Sequence, residues 1–402
     1  MSETTCKIRG IDPLLFRDGR PFTTDAGGRA DTLPLPFPST IAGFLRTKYG
    51  RARLGNDCDW PAVSAAIRLR GPLLARGEGV LFPAPADALV HRPDRDSKAI
   101  AVTRLLPRAP DPDVGTDICG AMRPMDVTVE AKPARGYETW PAAAMMAWLD
   151  GNPVDGCDLE ADIGLPRQHR VHIEMRGDTG TTEEGRLFST SMVGFEHHAW
   201  PDDGPADSAE FVLLCRVAGA EDAAALRGPG TLGGENRCAV VEPEPDSLWP
   251  DCPSPLAEAL RGAKRVRMIL ATPAIFERGW IPKWLDNTTK TGPPPGLEGR
   301  LALKLVAAAV PRRVAVSGWD YTTNRPKPVR WCAPAGSTYF FEVESGDPGL
   351  LGGEAWLAPV SDDECEKTPG RTLDKNRSDG FGLALWGIWA EQDDRKKGLH
   401  AQ

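Results

Sequence analysis

An α+β fold in two tandem halves is what the sequence predicts, on three observations. Candidate elements run strand, helix, strand, strand, helix, strand in the first half, and the second half repeats the strands with weaker helices. Each half closes on a glycine-containing loop that feeds an apolar strand. A proline-rich stretch, 243–255, separates the halves, and the pattern restarts after it.

In chain order, Lys7–Phe16 is a strand-like run stopped by Arg17-Asp18-Gly19-Arg20-Pro21, where Asp-Gly and proline signal a turn. A loop with Gly27-Gly28 follows. Pro38-Ser39-Thr40 opens a helix to about Tyr49, with Ser39 and Thr40 as caps, Ile41, Phe44, Leu45 and Lys48 at helical spacing, and Gly50 as the stop. Ile67–Leu74 is the next strand. Residues 91–165 have little periodicity and much Pro, Asp and Gly. They read as a long insertion outside the core, with one helix at Trp140–Leu149. Arg170–Met175 and Arg186–Phe195, joined across Asp178-Thr179-Gly180-Thr181, form a β-hairpin pattern. A strand at Phe211–Val217, a short helix at Glu221–Leu226, the loop Gly228–Arg237 and a strand at Cys238–Glu242 complete the first half. The second half offers strands at Arg265–Thr272, Arg313–Ser317, Thr338–Val343 and Leu383–Trp389, the last fed by Ser378-Asp379-Gly380-Phe381-Gly382. That order is ferredoxin-like. The expected division is residues 1–245, carrying the insertion (91–165) and hairpin (170–195), and residues 262–402.

Composition narrows function. With 41% hydrophobic and 26% charged residues the chain is globular in type. The longest apolar run, Leu301–Val310, is interrupted by Lys304, and Met1–Thr5 is polar; no membrane segment is expected and a cytoplasmic location is. Nine cysteines contain no CxxC pair, which argues for reduced thiols rather than zinc or disulfides. The net charge of −8 opposes nucleic-acid binding, but the charge is unevenly spread. Residues 1–53 hold nine Lys/Arg against five Asp/Glu, and residues 311–330 hold five against Asp320 alone. The acids gather in 201–210, 242–251 and 362–366, which read as solvated loops.

Three segments could carry function. Arg17 and Arg20 on a turn, near a helix start at Ser39 and Thr40, suit a phosphate, because the helix end offers unpaired N–H groups and arginine a two-pronged donor. The competing reading is a turn in which both arginines pair with Asp12 and Asp18. Gly233-Gly234-Glu235-Asn236-Arg237 permits close backbone approach, and Gly380 and Gly382 occupy the matching place in the second half. Trp319, Lys327, Arg330 and Trp331 interleave aromatic and basic residues as single-stranded RNA recognition requires, although tryptophans are as often core residues. Catalytic and metal constellations are thin: no HExxH, P-loop or GxSxG occurs, and Asp12, Asp18, Asp25 and Asp31 read as solvated turns. His169 or His172 could act as general acid or base in a metal-independent ribonuclease. His197 and His198 read as surface residues.

These segments together resemble the RAMP superfamily of CRISPR-associated proteins, and within it the third subunit of the type III-B Cmr effector complex. The resemblance rests on Ile11–Phe22, Leu35–Gly43, Phe82–Asp87, Glu184–Phe188, Gly233–Arg237, Ser317–Asp320, Pro326–Pro328, Pro334–Ser337 and Gly380–Gly382, nine segments in order. It implies two ferredoxin-like domains of the RNA-recognition type. It also implies a non-catalytic subunit without cofactor that holds the 5′ handle of CRISPR RNA and docks the large polymerase-like subunit and the backbone filament subunit. His172 departs from the family's usual glycine at that position. The expected RNA-binding residues are Arg17, Arg20, Ser39, Thr40, Gly233, Gly234, Asn236, Arg237, Gly380 and Gly382, with Lys327 and Arg330 secondary. The alternatives are a repeat endoribonuclease and a protein scaffold that does not touch RNA.

Overall fold

The computed structural model describes residues 3–17, 28–94, 99–108, 122–127, 129–159, 165–199, 207–320, 324–363 and 375–390. It is a mixed, sheet-rich fold with few helices. The first half contains β1 (Glu3–Gly10), α1 (Pro38–Leu54), α2 (Trp60–Ala66), β2 (Arg68–Arg76), β3 (Gly79–Pro83), β4 (Thr139–Pro141), α3 (Ala142–Leu149), β5 (Arg167–Met175), β6 (Thr182–Val193), β7 (Asp207–Ala218), β8 (Gly228–Thr231) and β9 (Cys238–Glu244). The second contains α4 (Ser254–Arg261), β10 (Arg265–Leu270), β11 (Leu301–Ala309), β12 (Thr338–Gly346), α5 (Asn376–Asp379) and β13 (Leu383–Ile388).

The first sheet runs β8-β9-β1-β7-β2-β3-β4, and the second is built on β11-β12-β10-β13. Taking the strands β1, β2, β7, β9 and β10, β11, β12, β13 as first to fourth, each set lies in the order fourth, first, third, second, with antiparallel neighbours throughout. The hairpin β5–β6 stands off the first sheet and pairs in parallel with Gly28–Ala30. No helix among the described residues is long and apolar enough to cross a membrane.

Five expectations need correction. The second strand of the second sheet is β11 and not Arg313–Ser317; Val314–Val316 instead pairs with Arg330–Cys332 in a small arm outside that sheet. The alanines of Leu301–Ala309 weaken its strand signal, yet its alternate positions are buried. The insertion is not outside the core: it supplies β4 at the sheet edge and α3, whose Trp148 packs edge-on to Trp140 at 5.4 Å. α1 continues past Gly50 to Leu54, because Cys58 and Trp60 cross the helix at Gly50, where a β-carbon would lie 2.8 Å from both. Finally, Glu221–Leu226 is reduced to a single tight turn, Ala223–Leu226, and Gly228–Thr231 is an edge strand rather than loop.

The largest hydrophobic cluster draws on both halves, uniting Phe82, Trp140, Trp148 and Leu214 with Val266, Leu303, Tyr339 and Trp386. A second cluster fills the space between α1 and the first sheet, with Ile8, Ile41, Leu45, Leu213 and Val241. The cysteines among the described residues are free, and burial pushes the Cys6 and Cys332 thiols up to about 12, so they are inert packing groups.

Candidate nucleic-acid interface

The segment Leu14–Arg17 gathers three of the predicted features. Leu14 exchanges backbone hydrogen bonds with Val193 at the root of the hairpin, at 2.7 and 2.9 Å. The Leu15 carbonyl accepts from the Gly234 N–H at 2.8 Å, and the Phe16 carbonyl accepts from the Leu33 N–H at 2.7 Å. The Thr32 hydroxyl accepts the Phe16 N–H at 3.0 Å. Hairpin, glycine loop and the lead into α1 are thereby fixed around one short stretch that ends on the exposed Arg17. Arg20 lies outside the described residues, as do Asp18 and Asp25. The Asp12 carboxylate accepts the Cys238 N–H at 3.0 Å.

Ser39 and Thr40 lie inside the first turn of α1 and do not cap it. Phe37 is the capping residue, Pro38 follows it, and there is no side-chain capping hydrogen bond. The reason is local: proline fits the first helical position, which displaces the hydroxyls one step inward. The Thr40 N–H donates to the Phe37 carbonyl at 2.9 Å. The first turn carries no acidic residue, so the positive end of the helix is not neutralised from within.

In the first glycine loop, Gly233 has φ of +79°, and a β-carbon there would lie 2.5 Å from the Leu15 carbonyl oxygen. Its glycine is required by that close approach of its own chain. Glu235 and Asn236 also adopt left-handed backbone, at φ of 59° and 52°, which turns the loop outward and exposes both. Arg237 donates to Glu235 at 2.8 Å, a pairing that the spacing of the two residues could have announced. The second glycine loop is buried. A β-carbon at Gly380 would meet the Gly71 carbonyl oxygen at 2.4 Å, and one at Gly382 the Ser361 hydroxyl at 2.6 Å. Gly380 thus serves contact between the halves, where Arg46 of α1 also pairs with Asp379 and donates to the Ser378 carbonyl at 3.1 Å, whereas Gly382 packs within the second half.

The basic arm is seated next to α1. Phe37, Ile275, Val316, Cys332 and Phe381 form one buried cluster, which joins the cap of α1, the root of the arm and the second glycine loop. Arg330 donates to the Asn376 side chain at 3.0 Å, and the Lys327 N–H donates to the Gly318 carbonyl at 2.8 Å. Trp319 and Trp331 are not core residues. Sequence reasoning did not single out Phe37 or Arg46, although Phe37-Pro38-Ser39 is the kind of apolar lead-in that precedes a helix.

His172 shares a hydrogen bond with the Thr190 hydroxyl at 3.0 Å and stacks on Phe188 at 5.2 Å. His169 is exposed on the same strand. Among the described residues no group of three or more His, Cys, Asp or Glu side chains is arranged to hold a metal ion.

A family model described as CRISPR-associated protein (Cas_Cmr3) matches residues 6–389. Among solved structures, the chain is similar to one in the cryo-EM structure of the type III-B Cmr-beta bound to cognate target RNA and AMPPnP, state 1. That match has 16% identity, covers 84% of this chain and 86% of the other, and has a TM-score of 0.46. The complex bound to cognate target RNA gives 15% identity, the same coverage and a TM-score of 0.47. A chain of the Csm3–Csm4 subcomplex of the type III-A CRISPR-Cas interference complex gives 10% identity over 96% of this chain and 100% of that one, with a TM-score of 0.36. No curated protein matches.

Proposed function

Because the chain belongs to the Cas_Cmr3 family of CRISPR-associated proteins, we propose that it is a non-catalytic subunit of a type III-B Cmr effector complex that grips the 5′ handle of the guide RNA. In this reading it works in the cytoplasm, without cofactor, and docks the large polymerase-like subunit and the backbone filament subunit. Its halves, residues 1–245 and 262–402, are two ferredoxin-like units, a reading supported by their shared strand order. Arg17, Arg20, the α1 start at Ser39 and Thr40, and the loop from Gly233 and Gly234 through Asn236 to Arg237 form the grip, with Lys327 and Arg330 flanking it. Gly380 keeps the second half in register with this surface, and Gly382 shapes the same loop from within the second half.

The observation that carries the reading is the convergence on Leu14–Arg17 of the glycine loop and the lead into an acid-free helix start whose capping residue, Phe37, makes no side-chain hydrogen bond. Such a surface holds a sugar-phosphate backbone by charge and N–H donation, and it is tolerant of base sequence. Filter binding of guide RNA across a salt series tests it. Arg17→Ala with Arg20→Ala is expected to weaken binding and flatten the salt dependence by roughly one unit of slope per lost phosphate contact. Unchanged affinity and slope count against both positions. The same incubation with labelled repeat RNA reports any cleavage, which a handle-binding subunit does not produce.

A further inference from the structure

The arm, of which residues 312–320 and 324–331 are described, carries a feature that a phosphate grip leaves unused. Trp319 is 48% exposed and Trp331 47%, the most exposed tryptophans among the described residues, ahead of Trp60 and Trp280, on a chain that buries Trp140, Trp148, Trp249, Trp356, Trp386 and Trp389. Large aromatic side chains left in water on a protein with an ample core mark a surface kept for a ligand. The Arg313 guanidinium lies over the Trp331 ring, 4.1 Å from its centroid, which leaves a planar cation and a planar ring stacked at the surface. Trp331 stands opposite Ala315 in the small sheet of the arm, and Trp319 opposite Pro326 in its outer pair. Neither partner is a large side chain that could cover the ring.

We propose that Trp319 and Trp331 are stacking platforms for unpaired bases of a single-stranded RNA; the proposal rests on the guide-binding reading given above. Charge chooses this occupant over a protein. Residues 311–330 carry Arg312, Arg313, Arg325, Lys327 and Arg330 against one acid, in a chain whose net charge is −8. A polyanion with flat faces satisfies both features of the arm: its phosphates meet the cations and its bases meet the indoles. The platform is also braced at its root. Pro326 and Pro328 bracket Lys327, the Ser317 hydroxyl donates to the Lys327 carbonyl at 2.9 Å, and Val316 and Cys332 are buried beside Phe37 at the cap of α1. A strand of RNA whose phosphates lie at the α1 start therefore has aromatic faces anchored to the same cluster.

The test is binding of the full-length chain to a short oligouridylate carrying one 2-aminopurine, whose emission is quenched by stacking. Trp319→Ala and Trp331→Ala are each expected to lower affinity roughly 5- to 100-fold and to reduce the quench, with the salt slope unchanged. Trp331→Phe keeps most of the affinity. Trp331→Leu, which preserves apolar cover but not a stacking face, behaves like the alanine variant. Arg313→Ala lowers both affinity and slope. Because both rings are half exposed and lie outside the core clusters, these variants are expected to lose little in melting temperature. Unchanged RNA affinity in the tryptophan variants, while Arg17→Ala still weakens binding, overturns stacking and leaves the grip standing. Loss of a protein subunit from the assembled complex at constant RNA affinity overturns it in favour of a protein-docking surface. Failure of the wild-type chain, alone and in the assembled complex, to contact RNA removes both readings.

Discussion

A β-carbon at Gly380 would approach the backbone oxygen of Gly71 to 2.4 Å at a φ of +98°, so nothing at that contact can yield by rotating a side chain. Gly380→Ala is therefore expected to destabilise the protein by about 3 kcal/mol or more, read as a fall in the urea midpoint. Gly77 provides the control: it has positive φ but open space around it, so Gly77→Ala costs only the left-handed strain of about 1–2 kcal/mol. Asp362 gives a residue-scale prediction of a different kind. Burial raises its pKa, while hydrogen bonds from the Glu277 and Lys283 N–H groups oppose that shift. A carboxyl whose folded pKa lies above its unfolded one contributes stability that is fully present below the unfolded value and is lost as pH rises through the folded value. Asp362→Asn does not titrate. Lowering the pH from about 7 to about 4 should thus shift the difference in urea midpoints toward the wild type; a constant difference would show that the carboxyl is not held in that state.

Helix α1 illustrates what an element adds to its residues. Pro38 at its first position and the absence of acids in its first turn leave a positive end that the helix itself does not neutralise. Ser39→Asp is expected to raise stability by about 0.3–1 kcal/mol through the helix dipole and yet to weaken guide RNA binding, because a carboxylate there repels phosphate. Opposite signs in thermal melting and filter binding separate an interface from a merely structural turn. The start of this helix was legible in the sequence, since Pro-Ser-Thr before a 3.6-residue apolar period has one common meaning. Its stop was not, because Gly50 is set by the crossing of Cys58 and Trp60, a contact that local pattern does not contain. The same limit hid β11, whose alanines are strand-like only because β12 lies beside them, and turned the expected strand at Arg313–Ser317 into part of a separate arm. The glycines were visible as special positions, and the structure ties them to Leu15, Gly71 and Ser361 of the protein itself. Whether Trp319 and Trp331 lay inside or outside depended on that arm, so composition alone left it open.

At the scale of the molecule, the halves are tied through their interior. Arg267 of β10 and Asp87 of the first half form an ion pair at 2.8 Å with neither side chain exposed, and Trp148 and Thr338 both donate to the same carboxylate at 3.0 and 3.3 Å. Beside it the Ala86 N–H donates to the Gly336 carbonyl at 2.8 Å, and a β-carbon at Gly336 would collide with the Ala84 carbonyl oxygen at 2.3 Å. Two charges buried from solvent stabilise little as a pair, but either one alone is costly. Arg267→Met should therefore destabilise by about 3–5 kcal/mol, whereas adding Asp87→Leu to it should recover much of that loss, a sign reversal that a double-mutant cycle in urea detects. Because the largest core cluster also spans both halves, unfolding is expected to be one transition by tryptophan fluorescence and by circular dichroism alike. Residues 1–245 expressed alone would expose the face of Phe82, Trp140 and Trp148 that packs on Val266 and Trp386, and should aggregate or bind a hydrophobic dye. Two separated transitions, or a soluble and well-ordered 1–245 fragment, would mean that each half holds its own shape. The α1 start and the basic arm would then be free to move apart, and a single RNA grip formed by both could not be maintained.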